Sequence, residues 1–248
     1  METAVAVAAA LIALAFGMST YERWTLRGRR HELAWSLALL QFAIAAGALA
    51  AGAGVGWTGP VFRTFFLFGA IVNVPWLALG TVYLLAGERR GDRAAAGVAL
   101  FSAFAAGVLV TARFTAPLPA DELARGKDVF EALPRILAAV GSGVGALVVF
   151  GGAAWSALRF LRSAPRMALA NVLIALGTLV LSASGLLNSV LGEMLAFSVT
   201  LAVGVAILFS GFLVATSGVA RRPQPPALRP ALDAAASRPD PVAARRRR

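Results

Sequence analysis

Side chains able to do chemistry are scarce in this sequence, and the most suggestive stand together in "FGAIVNVPWLALGTVYLL", residues 68–85. Asn73, Pro75 and Trp76 interrupt a run long enough to cross a bilayer. An amide facing lipid leaves donors and acceptor unpaired, so Asn73 must turn toward protein or a bound molecule. Pro75 has no backbone N–H, and its ring collides with the carbonyl four residues earlier, at Ile71. A bend is therefore expected between Ile71 and Pro75. At helical spacing Phe66, Gly69, Asn73, Trp76, Gly80 and Tyr83 share a stripe roughly 100° wide. It mixes glycines, at which another backbone or a ligand can approach, with aromatic rings and one amide. Two readings follow. The stripe is a helix-packing seam with Asn73 bonded to a neighbour's carbonyl, or it lines a pocket for a small or lipid-like ligand. Gln41, at a comparable depth in the preceding apolar run, joins this candidate site.

Other chemistry is excluded by residue type. The chain has no cysteine, which removes disulfides, thiolate nucleophiles, iron–sulfur clusters and cysteine-based zinc sites. Its one histidine, His31, lies in an Arg-rich loop, so a bis-histidine haem or a Ser-His pair within the apolar runs has no basis. No Asp, Glu, Lys or Arg occupies the middle of any run, although proton-coupled transporters and ion channels place charge there. Arg63 and Arg135 fall at run ends and read as interfacial side chains snorkelling to headgroups. The sequence predicts no enzyme activity, no metal and no cofactor. "GSGVG", residues 141–145, is a small-residue surface suited to close helix contact rather than to phosphate. Ser182, Ser184, Ser198 and Thr200 read as hydroxyls bonding across one helical hairpin.

These residues need elements to hold them, and composition names the elements. At 59% hydrophobic, 14% charged and a mean hydropathy of +0.77, a chain of this length has too little polar surface for a water-soluble fold. A span of a ~30 Å hydrocarbon core takes about 20 apolar helical residues. Seven runs qualify, at about 3–20, 34–56, 61–86, 94–112, 135–157, 167–187 and 194–217, of which the fourth stands close to the minimum for a full span. None alternates as a barrel strand does. The predicted fold class is an all-α integral membrane protein, a bundle of seven transmembrane helices in domain 1–220. Eighteen of the 23 Lys and Arg fall in the loops after odd-numbered runs and in the tail, and five on the opposite side. The positive-inside rule then puts the N-terminus outside and the C-terminus in the cytoplasm. The twelve acidic residues divide evenly and do not oppose this. Because Met1-Glu2 lacks positive charge, the first run reads as a span rather than a cleaved signal.

Two helix-count analogies stop at the count. A retinal protein needs a lysine in the seventh span, and 194–217 has none. Sugar carriers made of two three-helix bundles carry matching polar motifs in both halves, and Asn73-Val74-Pro75 has no counterpart in the last run.

Residues 221–248, rich in Pro, Ala and Arg, read as a disordered basic tail that meets anionic headgroups. The formal charge of +11 is accounted for by topology and tail, so nucleic acid is not an expected partner. Loop 113–134 reads as a short interfacial helix or as an unstructured connection. Twenty-two Arg against one Lys, with heavy Ala use, suggests a GC-rich bacterial genome and hence a bacterial plasma membrane. The functional expectation is a ligand-sensing or accessory protein that holds a hydrophobic or lipid-like molecule, or a partner membrane protein's helix. The alternative is a facilitator for a small uncharged solute.

Overall fold

Helical hydrogen bonding does not stop where hydropathy falls. In the computed structural model, which describes residues 2–119, 123–191 and 194–216, the side chains of 2, 182–198, 209, 212, 213, 215 and 216 excepted, the helices outrun the apolar runs at most ends. Helix α1 spans Glu2–Arg27 and α2 Arg30–Val55. A third long helix is continuous in course but not in winding: α3 Gly59–Phe65, a π-helical turn Phe66–Ile71, then α4 Asn73–Ala86. Next come α5 Glu88–Thr111, the single turn α6 Gly126–Val129, α7 Ala132–Phe160, α8 Pro165–Leu191 and α9 Met194–Thr216. Among the described residues 87% are helical, and no strand occurs.

Glycine and proline place the corners. Gly56 and Gly87 take φ of +94° and +83°, a region costly for residues with a Cβ, and they end α2 and α4. After Gly56 the chain folds back so tightly that the Trp57 ring lies over Gly52, and Pro60 enters the first turn of α3.

Among the described residues, five helices are long and apolar enough to cross a membrane: 3–27, α2, the composite 59–86, α5 and α7. Large apolar side chains cover their outward faces, among them Leu11, Leu100, Phe104, Val110 and Leu147. A surface of that kind is stable against lipid and not against water. The protein is membrane-embedded. The fourth run, which stands close to the minimum in the sequence, belongs to the 24-residue α5.

Burial ranks the helices. Half of the apolar stretch in 59–86 is buried, against 11% in α5. The composite helix is central: α4 packs on α2, α5 and α7, while α1 pairs with α2, and α8 with α7.

The described parts of loop 113–131, residues 113–119 and 123–131, are folded over the end of the bundle remote from the Arg-rich loops. Phe114 and Phe130 form an isolated β-bridge, Thr115 N–H donates to the Val129 carbonyl at 3.0 Å, and Leu123, Val129 and Phe130 are buried. Phe62, Phe66, Phe114 and Phe130 stack there with centroid separations of 5.1–6.3 Å. Arg63 departs from the snorkelling expected of it. Its guanidinium turns inward, donates to the Ala112 carbonyl at 2.6 Å and lies 4.6 Å from the Phe114 ring centroid. It thereby satisfies a carbonyl that the end of α5 leaves open.

Described residues 2–215 belong to one compact unit. The basic tail 221–248 lies outside the described residues, as do the side chains of Ser182, Ser184 and Ser198.

Candidate functional site

The bend expected between Ile71 and Pro75 takes a specific form. Val72 N–H reaches back five residues to the Leu67 carbonyl at 3.0 Å, which is π-helical bonding, and regular winding resumes with Trp76 N–H to the Val72 carbonyl at 3.3 Å. Pro75 offers no N–H to Ile71. Helix α7 packs into this irregularity. The Ser142 hydroxyl donates to the Ala70 carbonyl at 2.6 Å. A Cβ at Gly145 would stand 2.9 Å from the Val74 carbonyl carbon, and one at Gly141 would overlap the Ile71 oxygen. The glycines of "GSGVG" thus let two backbones meet, and the serine between them satisfies a carbonyl the kink exposes.

The residues of the stripe divide between two neighbours. On the α2 side, Asn73 is buried and its Nδ2 donates to the Ala38 carbonyl at 2.8 Å. Gly69 packs against Ala45, and the Trp35 indole lies directly on Gly80, donating from Nε1 to the Leu77 carbonyl at 3.2 Å. On the α5 side, Trp76 Nε1 donates to Ser102 Oγ at 3.1 Å, and the Ser102 hydroxyl in turn donates to the Val98 carbonyl at 2.7 Å. Tyr83 lays its ring on Gly91 and donates to Asp92 at 2.9 Å. Phe66 belongs to the aromatic cluster below loop 113–131. A stripe about 100° wide is broad enough to meet two helices, with Trp76 and Tyr83 along one edge and Gly69, Asn73 and Gly80 along the other. Gln41, one turn beyond Ala38 on α2, is partly buried, and its Oε1 has no hydrogen-bond partner.

A cavity of ≈ 50 Å³ opens one turn along from Asn73. Helix α4 contributes Leu77 and Thr81, α2 contributes Trp35 and Leu39, and Phe16, Val149 and Leu208 close it from α1, α7 and α9. Its polar groups are engaged or few: the Thr20 hydroxyl bonds to its own helix at Phe16 and Gly17, and the Trp35 N–H is spent on Leu77. Such a space stays dry and accepts apolar groups.

No family model, curated protein or solved structure matches this chain. The site therefore speaks only through its own geometry, which offers hydrogen bonds between helices, one apolar cavity and, among the described residues, no group of three possible metal ligands.

Sequence reasoning missed Trp35, Ser102 and Asp92 as partners of the stripe, and Ser142 as the partner of the irregular turn beside it. Ser142 carried a signal, since a hydroxyl between glycines on a close-contact face has a backbone within reach. Nothing in the sequence pairs Trp35 with Gly80, because that contact depends on how α2 and α4 cross.

Proposed function

We propose that this is a seven-helix membrane protein of a bacterial plasma membrane, N-terminus outside and C-terminus cytoplasmic, without catalytic chemistry of its own. In this reading it is a ligand-sensing or accessory bundle that holds a hydrophobic or lipid-like molecule. The observation that carries it is the apolar cavity between Trp35, Leu39, Leu77 and Val149, beside the Asn73–Ala38 bond. Its size suits a slender occupant such as an acyl-chain segment. Two further features support seven spans: α8 and α9 have 27 and 23 residues, each long enough for the hydrocarbon core. The Lys and Arg asymmetry of the loops supports the orientation.

A facilitator would need a continuous polar route. The apolar lining of the cavity argues against that alternative, as does the cluster of phenylalanines under loop 113–131.

The test fills the cavity. Val149 is buried in its wall, and Val149→Phe adds volume there. Native mass spectrometry of protein extracted in mild detergent should show a co-purifying apolar molecule on the wild type and its loss from Val149→Phe, with the melting temperature kept. A wild type that carries no such mass, or a variant that keeps it, overturns the reading.

A further inference from the structure

At the Arg-rich end of the bundle a second hollow of ≈ 260 Å³ lies between the start of α2 and the turn joining α4 to α5. Its polar lining comes from Arg29, Arg30, His31, Tyr83 and Glu88. One of these charges is already answered. Arg30 forms an ion pair with Asp92, whose carboxylate also accepts from the Tyr83 hydroxyl, so the joint between α2, α4 and α5 is neutral and braced. Arg29 and Glu88, of opposite sign, also face the hollow; neither makes an ion-pair contact among the described residues, and Glu88 feels Arg30 only through space. His31 is held with its ring 5.2 Å from Trp35, edge to face.

The occupant can be read from that remainder. An anion alone would meet Glu88, and a cation alone would meet Arg29. A zwitterion satisfies both, its phosphate oxygens accepting from the Arg29 guanidinium and the His31 ring, and its ammonium N–H groups donating to the Glu88 carboxylate. Apolar surface adjoins the hollow: Leu84 lines it and is 52% exposed, and Leu85 is 47% exposed. Ends of membrane-crossing helices lie at headgroup depth, so a molecule with a zwitterionic head at this point can lay its chains along those leucines. The geometry points to a binding site for a glycerophospholipid with a primary ammonium headgroup, of the phosphatidylethanolamine class. This site is separate from the apolar cavity and rests only on the chain being membrane-embedded, so it stands or falls independently of the function proposed above.

The experiment uses the full chain exchanged into detergent with an equimolar mixture of phosphatidylethanolamine, phosphatidylcholine and phosphatidylglycerol of identical acyl chains. Retained lipid is read by native mass spectrometry. Retention of phosphatidylethanolamine should exceed that of the other two by about tenfold, as expected for one charge-assisted hydrogen bond gained. Glu88→Gln should abolish the preference over phosphatidylcholine, and Arg29→Ala should weaken retention of all three. Arg93→Ala, a basic residue of α5 outside the hollow, should change nothing. All three substitutions leave the Arg30–Asp92 joint intact, and a melting curve checks that the fold persists. Equal retention of the three lipids by the wild type, or a preference that survives Glu88→Gln, overturns the proposal. Soluble phosphoethanolamine in excess separates the two sources of this chemistry: lipid that stays bound supports the membrane lipid, and lipid displaced by it assigns the hollow to a free phosphate ester and overturns the assignment to lipid.

Discussion

Ser142 and Ala70 are joined by a hydrogen bond of 2.6 Å at the point where the central helix changes its winding. The irregular winding before Pro75 leaves carbonyls short of helical donors, and hydrocarbon supplies no replacement. The neighbouring helix does. Because Gly141 and Gly145 flank the serine on one face, α7 comes close enough for its hydroxyl to reach the kink.

That closeness predicts a steep dependence on position within "GSGVG". Gly145→Ala puts a methyl 2.9 Å from the Val74 backbone, and backbone cannot step aside, so it should destabilise by about 1–3 kcal/mol. Gly141→Ala meets the Ile71 carbonyl and should act likewise. At Gly143 a Cβ meets nothing within 4 Å, and Gly143→Ala should be neutral or stabilising by up to about 1 kcal/mol. Thermal unfolding in detergent ranks the three; equal shifts would mean that α7 does not dock on the kink through this face.

For Asn73, the bond to Ala38 predicts a modest effect. Asn73→Leu should cost about 0.6 kcal/mol, and at most roughly 2. Trp76→Phe removes a bond to Ser102 on a different helix and should lower the melting temperature independently. Were the stripe instead one ligand site, both variants would shed the same bound mass. Melting curves paired with native mass spectrometry distinguish these outcomes.

Topology can be read by labelling, since the chain has no cysteine of its own. With the N-terminus outside, Lys127→Cys should react with an impermeant maleimide on intact cells, while Arg29→Cys and Arg248→Cys should react only after lysis. Labelling of position 248 but not 127 reverses the orientation.

Membrane residence and helical architecture were legible in the sequence because both follow from composition and run length, which need no tertiary information. The irregular winding before Pro75 was legible as a bend, since proline acts on its own helix. Its π-helical form was not, because proline calls for a bend without specifying which carbonyls go unpaired or which neighbour, here Ser142, meets one of them. Asn73 announced itself by being polar where lipid is expected. Trp35 did not, since an indole near a helix end is ordinary there, and its place on Gly80 appears only when α2 and α4 are packed. Helix ends extended past the hydropathy because residues such as Glu22 to Arg27 continue the same backbone bonding outside the hydrocarbon.

The phenylalanine cluster beneath loop 113–131 bears on how any guest arrives. Phe62 and Phe130 are completely enclosed at one end of the bundle, and at the other the Arg30–Asp92–Tyr83 joint ties three helices together. If the cavity beside Trp35 holds a guest as proposed, these two closures favour lateral entry between helices, after the guest has dissolved in the bilayer. Its occupancy is then governed by its partition coefficient rather than by its concentration in water. Two compounds of the same shape would differ at this protein chiefly by how much of each the membrane takes up.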